Sequence, residues 1–164
     1  MKPTRRISPP GMYFVSTSTQ GGRNTLQRDA VAELFINTLY EYRSQERFAL
    51  HAFVVMPNHV HLILTPAESL ERAMQFIKGG FSFRVSRLLG SQSEVWARGF
   101  TDHRIRDESD YLIHRNYVHN NPVRRELVER AEQYKYSSAN GAYEVDPYPS
   151  AAKAEIQMEP VRHG

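Results

Sequence analysis

The chain has no cysteine among its 164 residues, so disulfides and thiolate zinc sites are excluded and the fold rests on ordinary packing. Long apolar runs are missing too. No uncharged stretch approaches the ~18 residues of a membrane span. The basic opening from Met1 to Gly11, with Lys2, Arg5 and Arg6, is followed by no apolar segment of a secretion signal. A reducing, cytoplasmic setting is therefore expected. There is no internal repeat, and a length of 164 residues suits one compact domain. Neither sign of charge dominates, since 21 Lys and Arg face 18 Asp and Glu for a net +3. The imbalance is local: residues 72–130 hold 11 basic against 7 acidic side chains, and residues 141–164 hold 2 against 4. A basic middle suits a polyanion such as nucleic acid, although a solvated surface of mixed charge has the same composition.

The aromatic and β-branched run from Met12 to Ser18 predicts a first strand after the Pro9-Pro10-Gly11 breaker. A polar loop from Thr19 to Thr25 follows. Apolar residues at Val31, Leu34, Phe35, Thr38, Leu39 and Tyr42 predict an amphipathic helix over Arg28 to Gln45. Phe48 to Met56 and His59 to Thr65 are two apolar runs around Pro57-Asn58, the pattern of a β-hairpin. A second helix is expected from Ser69 to Leu89, stopped by Gly90. A fourth strand lies within Val95 to Arg106, with Phe100 and Ile105 as buried candidates. Asp107 then caps a third helix that runs to Asn121 and is closed by Pro122. A further short helix is expected within Val123 to Tyr136. The resulting β-α-β-β-α-β order predicts an α+β, ferredoxin-like split βαβ fold with a central antiparallel sheet, helices packed on it and an additional C-terminal helix. Residues 1–11 read as an extension, 12–140 as the domain and 141–164 as a loosely ordered tail.

Alternation along a strand places His59 and His61 on one face with Val60 on the other, so that two imidazoles can share a divalent metal. The pattern alone equally describes two surface or half-buried histidines. On the third helix Tyr117 and Asn121 stand one turn apart on a common face, with His114 a turn earlier. The Asn121 amide can complete a His-His-Asn set, or Tyr117 can be a packing residue and Asn121 a helix-end residue. His103 and His119 read as surface or supporting groups.

Met56-Pro-Asn-His-Val-His-Leu-Ile-Leu64 together with Tyr117-Val-His-Asn-Asn-Pro-Val123 resembles the REP-associated tyrosine transposases, relatives of the single-tyrosine HUH transposases. Val95-Trp96, Phe100, Asp102-His-Arg-Ile-Arg106 and Tyr136-Ser-Ser138 extend the resemblance over roughly residues 10–140. It implies that His59 and His61 are the paired metal-binding histidines, that Tyr117 is the nucleophile and that Asn121 is the third protein ligand, where related enzymes often have Gln. It implies a site-specific single-stranded DNA endonuclease and strand transferase. Its substrates would be palindromic, hairpin-forming repeats, cut through a 5′-phosphotyrosine intermediate with Mg²⁺ or Mn²⁺.

A phenol is a weak nucleophile near neutrality, with a reference pKa of ~10, and a phosphodiester repels an incoming anion. A metal that polarises a nonbridging oxygen addresses the second difficulty. Arg84, Arg87, Arg98, Arg104, Arg106, Arg115, Arg124 and Arg125 are the candidates for DNA phosphate contact, because guanidinium pairs bidentately with phosphate. Trp96 and Phe100 suit core packing, with base stacking as the alternative. Two rival functions share these residues: a hairpin-binding protein that no longer cuts, and a metal-dependent phosphodiester hydrolase in which Tyr117 is structural. The expected assembly is a monomer, and the acidic tail is expected to lie across the basic groove.

Overall fold

The computed structural model describes residues 7–149, which form four strands and three long helices. Strand β1 spans Tyr13–Ser18, helix α1 Asp29–Ser44, β2 Phe48–Val55 and β3 His59–Pro66. Helix α2 spans Leu70–Leu89, β4 Thr101–Arg104 and α3 Glu108–Arg124. Helices α2 and α3 start where their sequences satisfy them. The Ser69 side chain accepts from Arg72 N, and that of Asp107 accepts from Asp110 N. These caps use two of the backbone donors that a first turn leaves without partners. Gly90 ends α2 at φ +65°, in the left-handed region that glycine enters without steric cost.

The sheet order is β2-β3-β1-β4, with every neighbouring pair antiparallel. One strand thus lies between the two ends of each βαβ crossover, which is the split βαβ arrangement. On one sheet face Tyr13, Val15, Val60, Leu62, Leu64 and Phe53 pack with Phe35, Leu39, Ile77 and Phe81 of α1 and α2. Burial here is the main source of stability, at ~25 cal/mol for each Å² of apolar surface removed from water. On the other face Ala52, Val54, Met56 and Ile63 meet Tyr111 and Val118 of α3. The sheet is therefore covered on both sides, with α3 alone on the second.

A bulge in β2 makes this two-faced pattern possible. The pairing slips between Leu50 and Ala52, leaving His51 as the extra residue. Before it the even-numbered Phe48 and Leu50 face α1 and α2; after it the odd-numbered Phe53 and Val55 do.

Three expectations are corrected. Pro122 does not close α3: it lies inside the helix, which continues to Arg124 and ends where Glu126 takes φ +60°. In place of an additional C-terminal α-helix, the described residues beyond α3 make 3-10 turns at Ala131–Gln133 and Ser138–Asn140. Nor does loose order begin at Gly141. Arg43 grips the Asp146 carboxylate through Nε and Nη2 at 3.0 and 2.8 Å, Leu50 N donates to the same carboxylate, and Asp146 N donates to Leu50 O at 2.7 Å. Together with Val55 N donating to Tyr136 O, these contacts cover the exposed edge of β2. The remainder of the expected tail, 150–164, and most of the N-terminal extension lie outside the described residues.

Candidate metal and nucleophile site

Strands β1 and β3 pair with Ser16 opposite His61 and Ser18 opposite His59. Both histidines stand on the α3 face, as the i, i+2 spacing requires. His59 Nδ1–H donates to Asn58 Oδ1 at 2.8 Å, which leaves Nε2 as its lone-pair nitrogen. His61 Nδ1 lies 2.6 Å from Ser16 Oγ, and its Nε2 lies 3.3 Å from the Asn121 side-chain nitrogen. The two rings are 4.8 Å apart and steeply inclined, at 75°. Burial, the neighbouring His59 ring, Arg124 and Arg125 push the His61 pKa down to about 3, and burial followed by Arg125 lowers that of His59. Both imidazoles are thus neutral at physiological pH, the state in which they bind a metal.

Asn121 supplies the test of whether a metal fits. Its side chain is buried, yet Oδ1 has no hydrogen-bond partner, an arrangement that costs about 1–3 kcal/mol if nothing else binds there. The amide oxygen and nitrogen are interchangeable by a flip. In either orientation the amide lies against the paired histidines, and two ligands at right angles on an octahedral ion with bonds of about 2.1 Å stand about 3 Å apart. Two imidazoles and an orphaned amide oxygen suit a divalent cation with positions left for water and phosphate. The polar supports of His59 and His61 would orient both rings for that role.

Tyr117 stands beside this set. Its ring lies 5.3 Å from that of His61, and Phe14 meets both, stacked on His61 at 5.6 Å and edge-on to Tyr117 at 5.7 Å. Tyr117 is 39% exposed, and its ring adjoins the buried His61. The Arg124 guanidinium covers the Tyr117 ring at 4.3 Å.

The eight candidate arginines do not form one patch. Arg124 is in the site, and Arg125 caps the C-terminal end of α3 with its charge acting on both histidines. Arg106 pairs with Asp110, Arg115 covers Tyr111, and Arg104 Nη2 donates to Pro10 O. Arg98 lines a groove of about 590 Å³ with Arg72 and Lys78. Arg84 binds Glu41 and Arg87 stacks on Phe83, both on α2 in the layer beyond the sheet. Trp96 is a core residue, packed on Phe35 and Phe81 with Nε1–H donating to Lys78 O. Phe100 packs against the same core partly buried, and Ile105 is buried.

A cluster not anticipated from the sequence lies at the start of α3. The Asp110 carboxylate, 4% exposed, receives His103 Nε2 at 2.8 Å and Arg106 N at 2.9 Å, with His114 Nδ1 at 3.1 Å. Burial alone would raise its pKa, but the Arg106 N–H and His103 outweigh burial and bring it to about 2. Its signal was the i, i+4 pair Asp110 and His114 following a strand histidine. Two histidines and a carboxylate are a possible metal set by type. However, the His103 and His114 rings are stacked at 4.4 Å and only 16° from parallel. An ion must lie in the plane of each ring that binds it, and two stacked, near-parallel rings share no such point. The trio clamps β4 to α3. His119 is a second such tie, with Nε2 2.8 Å from Ser138 Oγ.

The profile of the family described as Transposase IS200 like matches residues 13–121, the stretch from β1 to Asn121. A Haemophilus influenzae protein, provisionally named a REP-associated tyrosine transposase, is 26% identical in an alignment 157 positions long that covers 88% of this chain and 89% of that protein. The REP-associated tyrosine transposase of Escherichia coli K12 is 24% identical in an alignment 144 positions long that covers 83% of this chain and 84% of that protein. A solved structure of a REP-associated tyrosine transposase bound to a REP hairpin shares the fold, with a TM-score of 0.68 at 24% identity over 92% of this chain and 93% of that one. The chain belongs to the IS200-like transposase family, and REP-associated tyrosine transposases are among its relatives.

Proposed function

We propose that the chain is a tyrosine transposase that cuts and rejoins single-stranded DNA at the foot of palindromic hairpins, with Tyr117 as nucleophile and His59, His61 and Asn121 as metal ligands. The observation that carries this reading is the Tyr117 ring 5.3 Å from His61, beside a buried amide oxygen without a partner. The hairpin partner is taken from the relative whose structure holds a REP hairpin. Tyr117 Oη attacks the phosphorus, forming the Tyr–O–P bond as the P–O3′ bond breaks. The phenolic proton leaves to solvent, the departing 3′-oxygen takes one up, and the 5′-phosphate remains on the protein. Mg²⁺ or Mn²⁺ held by His59, His61 and Asn121 would supply charge neutralisation to the phosphate. His59 and His61, hydrogen-bonded through Nδ1 to Asn58 and Ser16, keep the donor set in place. Phe14 supports the nucleophile's ring from the sheet. Because the bond energy is kept in the phosphotyrosine, the 3′-hydroxyl can reverse the step without ATP.

The test is a denaturation-resistant protein–DNA adduct, formed with hairpin DNA carrying a single-stranded foot and Mn²⁺. The parent chain should form it, while Tyr117→Phe should lose adduct and cleavage together and keep hairpin binding. Cutting at the same bond by Tyr117→Phe would favour the hydrolase; hairpin binding without cutting by the parent would favour a protein that only binds.

A further inference from the structure

We infer that Arg124 receives the scissile phosphate and makes divalent-cation binding at the site conditional on DNA. The inference rests on the proposed role of His59, His61 and Asn121 as metal ligands. Their donor atoms are all uncharged, and among the described residues no carboxylate joins the two histidines within the span of a metal site. Hard divalent cations are ordinarily held by carboxylates, so this set offers only dipoles. Against it stands a permanent cation one aromatic ring away: Arg124 lies 4.3 Å from the Tyr117 ring, which lies 5.3 Å from His61.

Other guanidiniums in the fold have acidic partners, as Arg43 has Asp146, Arg84 has Glu41 and Arg106 has Asp110. Among the described residues no carboxylate pairs with Arg124, whose contact is the Tyr117 ring face. Among the described residues no hydrogen bond or ion pair engages the Arg124 guanidinium, so its N–H donors remain available to a phosphate. Arg125 adds positive charge from the helix end, felt at both histidines.

Without DNA a +2 ion therefore enters a neutral cage against uncompensated positive charge. A phosphodiester reverses the balance twice over, pairing with Arg124 and lending an oxygen to the ion. Linkage makes the effect reciprocal, so that the ion tightens DNA by the factor by which DNA tightens the ion.

Mn²⁺ binding, followed by the electron paramagnetic resonance of the free ion, tests this on the full chain carrying Tyr117→Phe, which keeps the ring under Arg124 but leaves DNA uncut. A hairpin with a single-stranded foot should tighten Mn²⁺ by about tenfold or more, within the usual range of coupling. Adding Arg124→Gln, a change at an exposed position, should tighten Mn²⁺ about threefold without DNA and remove most of the gain on adding DNA. Arg124→Lys, which keeps the charge, should retain the weak DNA-free binding. Equal Mn²⁺ affinity with and without the hairpin, or DNA-free binding unaltered by Arg124→Gln, overturns the inference. His59→Ala with His61→Ala separates this from failure of the functional reading. If Mn²⁺ binding survives their loss, the histidines are not the site. If it vanishes there but shows no DNA dependence in the parent, the ligand assignment stands and the coupling alone falls.

Discussion

Asn121 is the residue at which folding and chemistry conflict most directly. A buried amide whose oxygen has no protein partner destabilises the folded chain unless a water or an ion takes that oxygen. Asn121→Ala is expected to weaken Mn²⁺ binding about tenfold or more, with cleavage falling at low metal and recovering as Mn²⁺ fills the weakened site by mass action. Full cleavage at low Mn²⁺ would remove the amide from the ligand set. The i, i+2 histidines and the i, i+4 pair on α3 were legible in the sequence because strand and helix periodicity dictate shared faces. That these two faces meet was implied by the family resemblance alone and not by periodicity, since the contact joins residues 60 apart in the chain. Asp110 was missed for the same reason. Read locally it is one acid in a helix's first turn, and only the return of β4 beside α3 gives it His103.

At the scale of elements, α2 shows how one helix uses adjacent glycines differently. Gly79 is exposed with nothing within 4 Å of a built Cβ, whereas at Gly80 the same atom would overlap the Tyr42 ring and hydroxyl of α1. Gly79→Ala should stabilise the chain by about 0.5–1 kcal/mol, through lower backbone entropy in the unfolded state. Gly80→Ala should lose that gain or reverse it, because a rigid ring must move. Thermal melting of the two variants checks the contrast, and equal melting points would refute the close approach. In the sequence Gly79 and Gly80 are two equivalent helix-weakening residues, and only the Tyr42 neighbour distinguishes them. Pro122 was misread in a similar way. Proline carries no N–H and disfavours helix, but here α3 runs two residues past it and so carries Arg124 onto the Tyr117 ring. The ordered segment near Asp146 escaped notice because its anchor, Arg43, lies 103 positions away.

For the molecule as a whole, four histidines among the described residues have their neutral form favoured by burial. Burial lowers the pKa of His51, His59, His61 and His119 from 6.5, to about 3 for His61 and about 4 for His119. Below pH 6.5 the unfolded chain binds protons that the folded chain refuses, so stability is full above that value and declines as pH falls toward 3. For His61 alone the loss is on the order of a few kcal/mol. Denaturant melts between pH 7 and 4 should show midpoints falling steadily, with a shallower fall in His119→Gln. A flat profile across that window would contradict the burial of these rings as uncharged groups.

The covering of the sheet on both sides also bears on descent. Along β3, Val60, Leu62 and Leu64 serve the layer of α1 and α2, while His59 and His61 between them serve the layer of α3. Adjacent codons in one strand thus answer to different selection. A lineage that no longer needed the site could shed His59, Tyr117 and Asn121 one by one while the alternate residues held the architecture. Such a descendant would keep the fold of a transposase long after the trade was gone.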